Sequence, residues 1–279
     1  MSMTVIITGS SSGIGLETAL YFAKKGWNVI ATMRDPDKRK TALHDQPNID
    51  LVHLDVTDPK SISRTLDYSI KKYGSIDALV NNAGYALMGP FETLDNANIH
   101  KQYDTNVFGL MDMTRAILPH FRERCSGTIV NITSIGGRTG IPLYSVYNST
   151  KWAVEGFSEA LYYEMLPFNI RVKIVEPGYI NTNFYGALDK KDIADWGAYN
   201  EPLSATLKAM DSFPGSPPSV VAKTIYKAAS SRSRKLRYPT GSMAKPLMFF
   251  KRHLPESLMK GVMRIVMKVK KGGAKPDGK

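Results

Sequence analysis

Tyr147 and Lys151 stand four residues apart in the run Tyr144-Ser-Val-Tyr-Asn-Ser-Thr-Lys151, where the pattern suggests the start of a helix. A helix places two such residues on one face, with Cβ atoms roughly 5–6 Å apart. A free phenol, with a pKa near ~10, is a poor acid or base at neutral pH. A neighbouring ammonium favours the phenolate and lowers that pKa, so the pair could exchange a proton with a substrate oxygen. The same spacing also describes two residues on the exposed face of an ordinary amphipathic helix. Which reading holds depends on what the rest of the chain brings to the pair.

A dinucleotide is the first thing it offers. The apolar run Met3 to Thr8 reads as a strand and ends in Gly9-Ser10-Ser11-Ser12-Gly13-Ile14-Gly15, after which Leu16, Ala19, Leu20 and Ala23 recur at helical spacing. Strand, glycine loop and helix in that order let the backbone approach a pyrophosphate and meet its charge with amide N–H groups. The spacing Thr8-Gly9-x3-Gly13-x-Gly15 is not the common GxGxxG. Gly26 caps the helix in this reading, and the next strand, Trp27 to Met33, ends before Arg34-Asp35-Pro36. An acid at that place binds a ribose 2′-hydroxyl, whereas an arginine accommodates a 2′-phosphate. Arg34 favours NADP(H), Asp35 keeps NAD(H) open, and the alternative is that Arg34 belongs to the solvated run with Lys38, Arg39 and Lys40.

The elements that must position these residues alternate between strand and helix. Strands are expected at 49–54, ending in Asp55-Val56, at 77–80, leading into Asn81-Asn82-Ala83-Gly84, at 128–133, ending at Ser134, and at 236–240. Helical patterns fall between them at 59–73 and from about 95 to 124, where Pro119 should bend the helix; another begins at Pro217-Pro218. Alternation of this kind predicts an α/β fold with a parallel sheet, doubly wound, helices on both faces and a C-terminal helical extension.

With these motifs in order, the chain resembles the short-chain dehydrogenases/reductases, in the subgroup with single-domain subunits, over about residues 3 to 182. That family's TGxxxGxG motif falls on Thr8, Gly9, Gly13 and Gly15, its Asp-Val pair on Asp55-Val56 and its NNAG segment on Asn81 to Gly84. Its catalytic Asn, Ser, Tyr and Lys fall on Asn106, Ser134, Tyr147 and Lys151. Pro177-Gly178 with Ile180 and Thr182 resembles the segment that holds the nicotinamide carboxamide. One small departure is Ser149-Thr150 in place of Ala-Ser before the lysine. The resemblance implies a cofactor site that also includes Ser11, Ser12, Ile14, Arg34, Asn82 and Ala83. It implies hydride transfer between nicotinamide and a ketone or secondary alcohol, with Tyr147 exchanging the proton. Ser134 would hold the substrate oxygen, Lys151 would lower the tyrosine pKa and bind ribose hydroxyls, and Asn106 would hold a water. It also implies a homodimer or tetramer through the helix carrying Ala153, Gly156 and Ala160, where a mid-helix glycine costs ~1 kcal/mol unless something packs on it.

Residues 183 to 215 lose regular patterning and gain aromatics, among them Phe184, Tyr185, Trp196 and Phe213. In the family this is the mobile segment over the substrate. With Leu87, Met88, Ile141, Leu143 and Tyr144 it could wall an apolar pocket, suited to a steroid, retinoid or long-chain ketone, or these residues could simply be core. Ser134, Leu143, Tyr144, Tyr147 and Phe184 are the expected substrate contacts.

The net charge of +12 is concentrated: 14 of 37 Lys/Arg but two of 25 acids lie in residues 232–279, so the preceding chain is neutral. That argues against nucleic acid as a partner. A domain is expected at 1–243, with 244–279 a basic amphipathic extension of it. Leu258, Val262, Ile265 and Val269 oppose Lys260, Arg264 and Lys268, a pattern that fits a cap over the pocket or a partner subunit, or a peripheral contact with an anionic membrane. Five scattered histidines give no metal cluster, and the lone Cys125, expected as a small buried residue, permits no intrachain disulfide. No signal peptide or spanning segment is expected, which suggests a cytoplasmic location. The rival from another class is a non-catalytic nucleotide-binding or scaffolding protein on the same fold.

Overall fold

The computed structural model describes residues 2–38, 41–182, 196–269 and 272. Seven parallel strands form one sheet, β1 (Thr4–Ile7), β2 (Asn28–Met33), β3 (Ile49–His53), β4 (Ala78–Asn81), β5 (Gly127–Ile132), β6 (Ile170–Pro177) and β7 (Arg237–Thr240), in the order β3-β2-β1-β4-β5-β6-β7. The order reverses between β1 and β4, which is where an open α/β sheet binds ligands. The strand β6 was not foreseen, although Ile170, Val172 and Ile174 alternate with Arg171 and Lys173 in its sequence; it is buried along nearly its whole length.

Successive residues of a strand point to opposite faces, so Val5 and Ile7 pack on one side and Ile6 on the other. The first face is covered by α1 (Gly13–Lys24) and α7 (Pro218–Ser230) through Ala19, Phe22, Val221 and Ile225. The second is covered by α2 (Pro59–Tyr73), α4 (Gly109–Glu123) and α5 (Ser145–Met165) through Ile62, Leu66, Met113, Ile117, Phe121 and Leu161. Local signals explain the ends. Asp58 accepts the Lys60 N–H ahead of Pro59 to open α2, and Gly26, at φ +78°, follows the end of α1 as expected.

The long helix expected from 95 to 124 is interrupted. It divides into α3 (Asn96–Tyr103), a π turn at Asp104–Phe108 and α4. The break in hydrogen-bond pattern therefore lies at Asn106, while Pro119 sits inside α4. After β7 the chain forms α8 (Ala244–His253) and α9 (Glu256–Val266), and Met259 and Met267 are buried against the domain. Cys125 is exposed, at φ +45°, contrary to its expected burial. Its thiol hydrogen-bonds the Arg122 carbonyl at 3.6 Å.

Candidate functional site

A cleft of about 580 Å³ opens at the carboxyl ends of β1 and β4. Its floor is backbone. Gly9 has φ +68°, and a Cβ there would lie 2.8 Å from the Ala83 Cα, while at Gly15 it would lie 2.2 Å from the Gly9 carbonyl oxygen. Only glycine permits this approach, and the trough it makes runs to the N-terminus of α1, a ready place for a phosphate. Ser11, Ser12, Gly13, Ile14, Asn82, Ala83, Gly84, Pro177, Gly178, Ile180 and Thr182 complete the walls. Thr8 does not reach the cleft. It is buried, and its hydroxyl accepts the N–H groups of Asn82 and Ala83 at 3.0 and 2.9 Å, tying the loop after β4 to β1.

At the far end lie Arg34, Asp55 and Val56. Burial opposes charge on Asp55, but hydrogen bonds from the Thr57 N–H and hydroxyl, and then the Arg34 guanidinium, hold its pKa below the usual range. Asp35 is not among the walls; its carboxylate lies 3.3 Å from Lys38. This end of the cleft therefore presents an exposed guanidinium. The backbone trough at one end and this cation at the other fit a phosphorylated dinucleotide.

The proton-transfer candidates meet where α5 passes the end of β5. Ser134 accepts the Gly136 N–H at 3.0 Å and hydrogen-bonds the Tyr147 phenol. Lys151, buried, donates to the Ile132 carbonyl at 2.9 Å, and its Nζ lies 5.7 Å from the Tyr147 ring centre. The π turn aims Asn106 inward, where its amide grips the Tyr85 peptide, accepting at 3.1 Å and donating at 2.8 Å, and donates to Thr150 at 3.2 Å. Asn106 thus fixes the loop beyond Gly84; its side chain is engaged by protein groups.

The electrostatics differ from the expectation. Burial pushes the Tyr147 phenol up to about 12, the Ser134 hydrogen bond opposing it, and Lys151 is not what governs it. Burial likewise lowers Lys151 to about 8, with Glu155 opposing only in part, because the Glu155 carboxylate is committed to Thr133 at 2.7 Å and Arg237 at 3.1 Å. Spacing suggested a phenol and ammonium acting on each other; desolvation instead pushes both groups towards neutrality.

A second cavity of about 80 Å³ adjoins the first, walled by Tyr144, Tyr179, Met210, Phe213, Met243, Leu247, Met263, Val266 and Met267. Tyr144 stacks edge-on to Tyr147 at 5.9 Å. Leu143, an expected contact, packs in the apolar cluster behind them without lining the cavity. Phe184 and Tyr185 lie outside the described residues, as does the segment to residue 195; its continuation from Trp196 through α6 (Asn200–Asp211) packs into the same cluster. The tail's methionines form the cavity's outer wall, so α9 caps it.

Asn98, Lys101 and Thr105 also line the cleft and were not foreseen, although their i, i+3, i+7 spacing marks one helical face. Behind the site, Glu155 and Glu176 share Arg138 and Arg237, with Glu176 3.6 and 3.8 Å from the two guanidiniums. Burial first, then Glu155, raises Glu176 to about 7. Among the described residues no metal-ligating group occurs, and no helix is long and apolar enough to cross a membrane.

Residues 3–193 match the family model for short chain dehydrogenases. Among curated relatives, retinol dehydrogenase 8 of Bos taurus is 36% identical over 265 residues, 89% of this chain and 84% of the relative. The 3-ketodihydrosphingosine reductase of Bacteroides thetaiotaomicron is 33% identical over 268 residues, covering 94% of this chain and 96% of its own length. The solved structure of ElxO with NADP bound superposes with a TM-score of 0.71 at 31% identity, over 85% of this chain and 95% of that one.

Proposed function

The chain belongs to the short-chain dehydrogenase/reductase family, and on that footing we propose that it is an NADP(H)-dependent oxidoreductase acting on a long-chain ketone or secondary alcohol. One observation carries the reading: among the described residues, only Ser134, Tyr147 and Gly178 line both the dinucleotide-sized cleft and the apolar cavity. A substrate carbonyl at that junction meets the phenol and the serine together.

When bound, a nicotinamide cofactor would supply the hydride chemistry at the carbonyl or carbinol carbon. Tyr147 gives its proton to the substrate oxygen in reduction and takes one in oxidation, and Ser134 hydrogen-bonds the same oxygen as charge develops on it. Lys151 and the glycine trough would hold the cofactor, and Arg34 would receive a 2′-phosphate, a preference in keeping with the NADP bound to ElxO. Asn106 keeps the Gly84–Tyr85 backbone in place against α5.

The substrate wall favours a slender aliphatic chain over a rigid ring system. It is narrow, and four of its residues are methionines, which repack around flexible ligands. Two relatives are named for lipophilic molecules, retinol and 3-ketodihydrosphingosine. A dimer through α5 is part of the reading. Trp152, Gly156, Ala160 and Tyr163 face outward on it, and a Cβ on Gly156 would meet nothing within 4 Å among the described residues.

The test is NADPH oxidation against a panel of ketones graded from short alkanones to steroids. Tyr147→Phe should lower kcat by about 10²-fold or more while NADPH still binds. Turnover of the variant at the parent rate would refute Tyr147 as the proton donor, and absence of NADPH oxidation with every ketone of the panel would favour the scaffolding alternative.

A further inference from the structure

The wall of the substrate cavity has an outer side. Seven of the 13 large apolar side chains exposed among the described residues fall between 243 and 266. Phe249 and Phe250 project from α8 at 60% and 49% exposure, and Leu258, Val262 and Ile265 from α9 at 53%, 39% and 71%. At 100° per residue these last three form one stripe of α9, whereas Met259, Met263 and Met267 form another, turned into the domain. Lys260 and Arg264 occupy the third side. Capping the cavity and contacting an outside surface are therefore not alternatives, since different faces of one helix serve them.

We propose that the outer face of α8 and α9 docks on an anionic lipid bilayer and sets the cavity mouth at the level of the acyl chains. An exposed apolar stripe on α9, with Phe249 and Phe250 exposed on the neighbouring α8, marks an interaction surface, and charge selects its occupant. Residues 244 to 269 carry six Lys/Arg against Glu256 alone, which is paired with Lys260 at 2.8 Å, and the whole excess of +12 lies in residues 232–279. Two copies of such a face repel one another. A surface of acidic headgroups attracts both, and the apolar stripe then enters the interface while the flanking cations remain among the phosphates. Docking in this way goes beyond the proposed reaction and is read without turnover.

Full-length protein should co-sediment with vesicles containing roughly a third phosphatidylserine and not with phosphatidylcholine alone, and the partition coefficient should fall as salt rises. Leu258→Asp with Ile265→Asp, residues that line neither the cleft nor the cavity, should lower partitioning about tenfold or more. Arg252→Glu with Arg264→Glu should do the same for acidic vesicles. NADPH binding by both variants certifies their fold. The proposal is overturned if the protein ignores acidic vesicles, if it binds them undiminished in both variants, or if Leu258→Asp with Ile265→Asp splits an oligomer in light scattering and leaves vesicle binding unchanged. The last result would assign the face to a second copy of the chain.

Discussion

Replacing Lys151 with methionine should abolish activity and make the protein more stable. The ammonium is 5% exposed and its pKa is lowered to about 8 by burial, with Glu155 opposing. Against a model lysine at 10.5, that difference corresponds to about 3 kcal/mol of unfavourable free energy in the charged form. Methionine fills similar space without charge but forfeits the hydrogen bond to the Ile132 carbonyl, a loss of about 1 kcal/mol. The net gain at pH 7 is about 2 kcal/mol, which for a chain of this size raises Tm by roughly 5 °C. The pH dependence has a definite sign. Between about 8 and the unfolded value the unfolded chain binds the extra proton, so wild-type stability rises with pH through that window relative to the variant. The advantage of Lys151→Met is thus full below about pH 8 and fades by about pH 10.5. Thermal or urea unfolding of both proteins at pH 7, 9 and 10.5 checks this. A variant no more stable than wild type at pH 7, or one whose advantage is equal at all three values, refutes the placement of a buried, poorly compensated ammonium.

Glu176→Gln should behave oppositely with pH. Its folded pKa is raised to about 7, so wild-type stability falls as pH climbs from about 4.5 to 7; the glutamine variant should gain up to about 3 kcal/mol above that window and nothing below it, as urea titrations at pH 4.5 and 8 would show. Arg34→Ala should raise the KM for NADPH about tenfold or more and leave the NADH value within a factor of two or so; equal effects on both would remove Arg34 from 2′-phosphate recognition. If the proposed dimer forms through α5, Gly156→Arg should convert it to a monomer in light scattering, since a Cβ at Gly156 meets nothing within 4 Å among the described residues; an unchanged dimer mass would move the contact elsewhere.

The cleft was legible because its parts are local. Glycines at Gly9, Gly13 and Gly15, the turn after β4, and Ser134, Tyr147 and Lys151 each sit at the end of a strand or the start of a helix, and the spacing within such a unit fixes geometry. Thr8 misled because a motif residue need not face the ligand: its hydroxyl serves the Asn82 and Ala83 amides. What the spacing could not convey was burial. Whether Tyr147 is lowered by Lys151 or raised by its surroundings depends on Met267, Trp196 and Met210, which lie about 50 to 120 residues downstream and pack into its cluster. Nor could it reveal that Asn106 stands on a π turn, whose register differs from its α-helical neighbours by one residue. The apolar pattern of α9 is visible in the sequence, but only the fold separates its faces, turning Met259, Met263 and Met267 into the domain and leaving Leu258, Val262 and Ile265 exposed.

Burial of the Tyr147–Lys151 pair bears on the direction of the reaction. A phenol held up at about 12 stays protonated across the physiological range and is ready to donate, which suits reduction of a ketone. Oxidation of the alcohol needs the same group as a base, and the site then has to favour a phenolate against the desolvation that the methionine wall imposes. A Ser134 hydrogen bond opposes that rise, and Lys151, itself lowered to about 8, loses its charge in the alkaline range where a phenolate would otherwise form. One wall therefore does two things. The side chains that make the cavity apolar also bury Tyr147 and keep its proton in place, so on the proposed reading a preference for carbonyl reduction would follow from the same packing of α6 and α9 over α5.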